Sequence, residues 1–349
     1  MSRGTVMFVA GGTGGHVFPA LAVATEMRAR GYELSWIGTE RGIEHRLVPA
    51  AGIELNLVKV SGLRGSGLGR KIRAPFMLVS ALWQCWQVLR RVRPGLVVGF
   101  GGFVAGPTGL AARMRKIPLV IHEQNAVAGT TNRILAKFSA RVLAAFPGAL
   151  NGAEITGNPV REGLSKLVPA ELGRPPRLLV LGGSQGALSL NRELPACFAQ
   201  LAEKPRVIHQ CGERWLEQTR QFYADAGIEA EVVAFIEDMG EAYQWANLVV
   251  CRAGAMTVSE LAAAGKPALF IPFPYAIDDH QTANGNWLVQ QGAARLLQES
   301  ELASQGAALL QEMLDPQQLE NLTRSASSLE PADATARICD LCEEQFHVA

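Results

Sequence analysis

Between Leu55 and His122 the chain contains no aspartate or glutamate, yet it carries eleven cations there: Lys59, Arg64, Arg70, Lys71, Arg73, Arg90, Arg91, Arg93, Arg113, Arg115 and Lys116. Cysteine is sparse and scattered, with six in 349 residues, so no disulfide framework is expected and a reducing cytoplasm fits best. Cys339 and Cys342 form one C-x-x-C, but a zinc site wants a second pair and none exists, so no metal is expected. No charged segment followed by an apolar one opens the chain, which argues against a secretion signal. The uncharged stretch between Arg93 and Arg113 holds Pro94, Pro107 and six glycines, which excludes a continuous spanning helix there. Two common nucleotide signatures are also missing. Gly12-Thr13-Gly14 leads to Val17 where G-x-G-x-x-G needs its third glycine, and no P-loop lysine motif occurs, so an oxidoreductase and a P-loop kinase both lose ground.

What is present points to two α/β domains. At roughly 150 residues per domain the length allows about two. Hydrophobic residues make up 48% and charged residues 19%, with 36 glycines, a globular composition rich in tight turns. Net charge is 33 − 32 = +1, which argues against a nucleic-acid partner, but the balance is uneven. Residues 1 to 160 hold 19 Lys/Arg against 7 Asp/Glu, and the remainder 14 against 25, giving +12 and −11. Strand-like runs at Thr5 to Ala10, Leu34 to Gly38, Leu96 to Gly99 and Leu119 to His122 alternate with helical segments. The pattern restarts at Arg177 to Leu181, Arg206 to Gln210, Glu231 to Phe235, Leu248 to Cys251 and Ala268 to Ile271. Two parallel sheets in tandem follow, with a turn-rich linker at Gly157 to Arg161. Spacing alone leaves the last helix, after Pro331, free to pack on either domain.

Each half opens with a strand that runs into glycines: Gly11-Gly12-Thr13-Gly14-Gly15 and Gly182-Gly183-Ser184-Gln185-Gly186. Bare backbone before a helix N-terminus suits an anionic or polyhydroxyl ligand, although the same glycines serve a tight strand-to-helix turn. A third such element, Arg252 to Glu260, follows a strand and opens a helix. Its amides could hold a diphosphate and Glu260 the two hydroxyls of a ribose; the alternative is a capping carboxylate, with Thr257 or Ser259 serving the backbone. His16 lies where an imidazole could act as a base, although a lone histidine at a strand end is more often structural. Asp278 to Asn284 reads by itself as a solvated polar loop, and Arg161 by itself as a surface charge.

Taken in order, Gly11 to His16, His122-Glu123-Gln124-Asn125, Gly157 to Arg161, Gly182 to Gly186 and Gly254 to Glu260 resemble the MurG family of bacterial GT-B glycosyltransferases over essentially the whole chain. The resemblance implies an α/β fold of two Rossmann-like, doubly wound parallel-sheet domains facing across a cleft. Residues 1–160 would form the acceptor and membrane-association domain, with a returning helix over 333–349, and residues 161–332 the UDP-sugar domain. It implies an inverting hexosyltransferase that moves N-acetylglucosamine from UDP-N-acetylglucosamine to lipid I, giving lipid II for peptidoglycan. Donor contacts carried over are Ser184 at phosphate, Ile236 at uracil, Ala255, Met256, Thr257, Val258 and Ser259 around the diphosphate, Glu260 at ribose, Gln281 and Asn284 at sugar hydroxyls, and Arg161 from the linker. Thr13, Gly14, Gly15 and Asn125 would line the acceptor side, with His16 the first choice of base and His122 or Glu123 its rivals. No D-x-D motif occurs, and no cofactor or metal is implied. Phe103 and Ala105 stand where the family often has tyrosine and serine, which removes two hydroxyls from that loop.

Expected partners are the two substrates, an anionic membrane surface at the cytoplasmic face of the bacterial inner membrane, and other cell-wall or division proteins. The surface reading rests on Ala74 to Leu89, apolar nearly all round and bracketed by arginines; a buried helix with solvated cationic ends explains it equally well from the residues alone. Two rival functions share the fold: a non-catalytic nucleotide-sugar-binding protein and a UDP-sugar epimerase.

Overall fold

β1 (Thr5–Ala10) is the seed of a seven-stranded, wholly parallel sheet in the computed structural model, which describes residues 3–59, 68–161, 163–165, 167, 174–183, 185–330 and 333–346, with backbone only for 68–75. The chain continues through α1 (Gly14–Ala29), β2 (Glu33–Gly38), α2 (Glu44–Ala50), β3 (Glu54–Leu57) and α3 (Leu68–Val92). It then crosses to β4 (Leu96–Gly101), α4 (Ala105–Met114), β5 (Leu119–Glu123), α5 (Thr130–Leu135), β6 (Arg141–Ala144) and β7 (Glu154–Ile155). Strand order is β3-β2-β1-β4-β5-β6-β7. Both faces of β1 are covered, which is why its run is apolar without alternation. Val6, Phe8 and Ala10 pack with α1, while Met7 and Val9 face Ala81, Cys85 and Leu89 of α3.

The second unit repeats the plan with β8 (Arg177–Leu181), α6 (Leu188–Ala199), β9 (Arg206–Gln210), α7 (Leu216–Ala226), β10 (Ala230–Val233), α8 (Met239–Trp245) and β11 (Leu248–Cys251). There follow α9 (Ala255–Ala263), β12 (Ala268–Phe270), α10 (His280–Gln290), β13 (Ala294–Leu296), α11 (Leu302–Met313) and α12 (Pro316–Ser327). Its parallel order, β10-β9-β8-β11-β12-β13, matches the first six strands of the other sheet in topology. The residues expected to form a polar loop, Asp278 to Asn284, instead form a tight turn and open α10.

The units divide as 1–160 with 333–349, and 161–332. α13 (Ala334–Phe346) therefore belongs to the first, and its contacts explain why. Ile338, Cys339, Leu341 and Cys342 are buried with α1. Arg30 reaches Asp340 at 2.6 Å and Glu343 at 3.0 Å. The Phe346 ring lies edge-on to Tyr32, and a Cβ on Gly4 or Gly95 would come within 2.4 or 2.5 Å of it, so both glycines admit that ring.

α3 is neither buried nor solvated throughout. Ala81, Cys85 and Leu89 face the core, whereas Phe76, Val79 and Trp83, spaced by three and four, are 76%, 66% and 61% exposed. Arg90 and Arg115 both lie over the Trp86 ring, at 5.7 and 5.5 Å. No helix among the described residues is long and apolar enough to cross a membrane.

Candidate functional site

In each sheet the chain leaves the central pair of strands in opposite directions, β1 against β4 and β8 against β11, which opens a crevice at the C-terminal strand ends. The glycine clusters sit there. In the first unit Gly102 has φ +86°, and a Cβ on it would meet the Gly11 carbonyl oxygen at 2.4 Å, so the loops after β1 and β4 come this close only because residue 102 is glycine. Thr13 is the N-cap of α1 and exposed, and Gly14 and Gly15 supply the first helical amides. His16 is the third helical residue rather than a strand-end one, half-buried, with its ring beside Gly101: a Cβ on that glycine would lie 3.2 Å from Nε2.

The two rival bases are held elsewhere. His122, fully buried on β5, donates through Nε2 to the Gly157 carbonyl at 2.9 Å and accepts from the Gln124 amide at Nδ1 at 3.1 Å. Burial lowers its pKa to about 4. Glu123 accepts at Oε1 from the Asn125 backbone and side-chain amides, at 3.0 and 3.2 Å. At Oε2 it accepts from Gly129 N–H at 3.2 Å and Asn132 Nδ2 at 2.9 Å. Four donors on one buried carboxylate make Glu123 the latch of the loop that carries half-exposed Asn125. Asn158 donates to the Gln124 carbonyl at 3.0 Å and ties the Gly157 turn to the same loop.

In the second unit Gly254 is the N-cap of α9 without any side-chain cap, and the first-turn amides of Ala255, Met256 and Thr257 carry the helix's positive end. Glu260 is 8% exposed. Tyr243 of α8 donates to its Oε2 at 3.1 Å, and the Arg161 Nε lies 3.3 Å from its Oε1. Burial raises the Glu260 pKa, and Arg161 and Tyr243 act against that rise. Arg161 itself is half-exposed.

Two expectations need correction here. Val258 is fully buried, and its N–H is bonded to Gly254 O at 2.9 Å, so neither its side chain nor its amide is available to a diphosphate. Asn284 is fully buried too, and its Nδ2 donates to the Ala253 carbonyl at 3.2 Å, supporting the loop before α9 rather than facing a sugar. Gln281, one turn earlier on α10, is half-buried with Oε1 accepting from Phe273 N–H at 3.0 Å. Asp278 and Asp279, directly before α10, are both left-handed, at φ +53° and +50°, a strained pair. Ile236 is half-buried after β10 beside exposed Phe235. Ser184 lies outside the described residues.

Three further residues hold these loops: Glu44 and Gln210, which belong to no motif, and Arg252, which opens the third one. Glu44, fully buried at the start of α2, accepts from Gly12 N–H at 3.0 Å, and from the N–H and hydroxyl of Thr39 at 2.9 and 2.7 Å. Gln210, ending β9, brackets Gly183 by accepting from its N–H at 3.1 Å and donating to its carbonyl at 3.0 Å, and also donates to Ala234 O at 3.2 Å. Arg252 donates to the carbonyls of Ile271 and Pro272, at 3.0 and 2.9 Å, and pairs with Glu299. No group of three or more metal-ligating side chains occurs among the described residues.

Two doubly wound units, each with a glycine loop and an uncapped helix N-terminus at its switch point, make a nucleotide-binding α/β protein whose second unit pairs those amides with a buried carboxylate. Residues 6–144 match the glycosyltransferase family 28 N-terminal domain and residues 177–338 its C-terminal domain. The chain belongs to glycosyltransferase family 28 and, within it, to the MurG enzymes. A relative from Stutzerimonas stutzeri named UDP-N-acetylglucosamine–N-acetylmuramyl-(pentapeptide) pyrophosphoryl-undecaprenol N-acetylglucosamine transferase is 53% identical over 98% of this chain and 99% of its own. The relative of that name from Pseudomonas syringae pv. tomato is 52% identical with the same coverage. The crystal structure of Acinetobacter baumannii MurG superposes with a TM-score of 0.86 at 39% identity, covering 98% of this chain and 100% of that one. A Listeria monocytogenes structure described as a UDP-N-acetylglucosamine 2-epimerase shares the fold alone, with TM-score 0.63 at 12% identity over 100% and 97% of the two chains.

Proposed function

We propose that this chain is an inverting hexosyltransferase that moves N-acetylglucosamine from UDP-N-acetylglucosamine to the muramyl C4-hydroxyl of lipid I, giving lipid II for peptidoglycan. The observation that carries this reading is full-length identity of 53% to a relative bearing that activity in its name, against 12% to the epimerase that shares only the fold.

The second unit takes the donor. The α9 amides face the diphosphate, Glu260 accepts the ribose hydroxyls, and Ser184, Ile236, Arg161 and Gln281 contribute at phosphate, uracil and sugar. The first unit takes the acceptor at Thr13, Gly14, Gly15 and Asn125. A base removes the acceptor hydroxyl proton as that oxygen attacks the anomeric carbon and the bond to UDP breaks. Negative charge grows on the departing diphosphate, where helix amides stabilise it most. His16 is the base in this reading, because His122 and Glu123 have their ring nitrogens and oxygens committed inside the fold. Those two, with Val258 and Asn284, position the loops instead. The exposed apolar face of α3, within the acid-free basic segment, docks the first unit on the anionic cytoplasmic face of the inner membrane.

Incubation with radiolabelled UDP-N-acetylglucosamine and a lipid I analogue tests the activity. Label should enter the acceptor only when both are present. Conversion of the donor without acceptor would favour the epimerase, and tight donor binding without turnover a binding protein.

A further inference from the structure

Glu44 is a fully buried carboxylate with no counter-cation within ion-pair distance among the described residues, and burying such a charge is costly unless hydrogen bonds replace water. Three donors do so, and they come from two places: Gly12 N–H in the loop after β1, and the N–H and hydroxyl of Thr39 at the end of β2. The site is shaped around this one side chain. A Cβ on Gly42 would lie 1.8 Å from Oε2, one on Gly11 2.8 Å from Oε1, and one on Gly38 2.7 Å from Cγ. One residue beyond Gly12 the chain becomes the N-cap of α1, and three beyond that comes His16.

We propose that Glu44 is a positioning residue for the transfer: its carboxylate fixes the Gly11–Thr13 loop against the end of β2 and thereby sets where the first turn of α1 presents His16. The proposal rests on the reading that this loop and His16 serve the acceptor, and it concerns a residue that touches neither substrate. Both carboxylate oxygens only accept, and each faces an N–H. An amide in place of the carboxylate must therefore turn a donor toward a donor at Gly12 or at Thr39, releasing one end of the clamp while keeping the side-chain volume. A displacement of about an ångström at a reacting group costs on the order of a hundredfold in rate.

The experiment uses the full chain with Glu44→Gln, Thr39→Val, His16→Ala and the Glu44→Gln/His16→Ala double variant. It measures kcat with a lipid I analogue, UDP-N-acetylglucosamine affinity by calorimetry, and thermal midpoint. Glu44→Gln should lower kcat by about tenfold to a hundredfold while donor affinity stays within about twofold, because the donor unit is untouched. Thr39→Val, which removes one donor and folds more readily, should lower kcat severalfold. The double variant should be no slower than His16→Ala alone within about threefold, since both changes act on one element. Losses that multiply in the double variant, or a Glu44→Gln or Thr39→Val protein with normal kcat, would overturn the proposal. If Glu44→Gln does not fold, Thr39→Val decides. Normal turnover of His16→Ala would refute the base assignment instead, and the kcat of Glu44→Gln would still show whether the loop depends on Glu44.

Discussion

The phenol of Tyr243 donates a hydrogen bond to Oε2 of Glu260 at 3.1 Å, linking α8 to α9 beneath the helix N-terminus proposed to hold the donor diphosphate. Burial pushes the Glu260 carboxyl up, and Tyr243 and Arg161 push it back down. Glu260→Ala should weaken UDP-N-acetylglucosamine binding by about 1.5 to 3 kcal/mol per charged hydrogen bond lost. Tyr243→Phe should act through ionisation. With one opposing group gone, the Glu260 pKa rises further, so the fall in donor affinity on acidification begins at a higher pH than in the wild type. Calorimetry across a pH series checks both. A Tyr243→Phe protein whose affinity follows the wild-type pH curve would mean that Tyr243 does not support the ionised carboxylate.

His16 and Glu123 should separate by what their loss disturbs. His16→Ala should lower turnover by about a hundredfold or more with donor affinity intact, as expected of a base on the acceptor side. Glu123→Gln should instead lower the thermal midpoint, because its four donors anchor the Asn125 loop and the start of α5. Should Glu123→Gln keep its stability and lose turnover while His16→Ala keeps turnover, the base role would pass to Glu123.

Two buried histidines make acid stability a third test. His209 resembles His122 in its surroundings: Nε2 faces the Asn191 Oδ1 at 3.0 Å and Nδ1 the Tyr223 hydroxyl at 2.9 Å. Burial lowers its pKa to about 3, and that of His122 to about 4, from 6.5. Above pH 6.5 neither state binds the proton, so there is no effect. Below it the unfolded chain takes up protons that the folded one refuses, and stability falls by about 1.4 kcal/mol per pH unit for each histidine until the folded pKa is reached. Thermal midpoints should therefore drop between pH 6.5 and 5, before most carboxylates titrate. Both rings should appear as neutral Nε2–H tautomers in nitrogen-15 spectra; a His122 or His209 resonance titrating near 6.5 would contradict this.

The glycine loops could be read from the residues because positive φ and close backbone approach leave glycine as the one comfortable choice, as at Gly102 against Gly11. The strands with continuous apolar runs, β1 and β11 among them, could be read for a similar reason. β3, β7 and β13 could not: they are four, two and three residues long, include polar positions, and owe their state to a neighbouring strand. Glu44 and Gln210 lie 32 and 27 positions from the glycines they hold, and nothing near them in sequence marks the contact. Val258 and Asn284 mislead in the opposite direction. A motif names positions without saying which way each side chain points, and on α9 and α10 these two point inward, where packing and loop support use them up.

The membrane reading yields the most separable test, because its two contributions respond differently to salt. Phe76, Val79 and Trp83 project from one side of α3 while Ala81, Cys85 and Leu89 hold the other in the core, so Phe76→Ser and Trp83→Ser should leave the thermal midpoint nearly unchanged. They should weaken binding to anionic vesicles at every salt concentration, since apolar insertion is not screened. In this reading Arg70, Lys71 and Arg73, near the start of the same helix, would add electrostatic attraction. Each cation near an anionic surface is worth about 1 kcal/mol at moderate ionic strength, and the Debye length shrinks from about 10 Å at 0.1 M to about 3 Å at 1 M. Replacing the three with glutamine should therefore weaken vesicle binding strongly in dilute buffer and little in concentrated salt, without slowing transfer to a water-soluble acceptor analogue. Co-sedimentation with neutral and anionic vesicles decides the matter. Equal binding to both, with no effect of the triple substitution, would remove electrostatic docking; retained binding by the Phe76 and Trp83 variants would remove the apolar face of α3 from the contact.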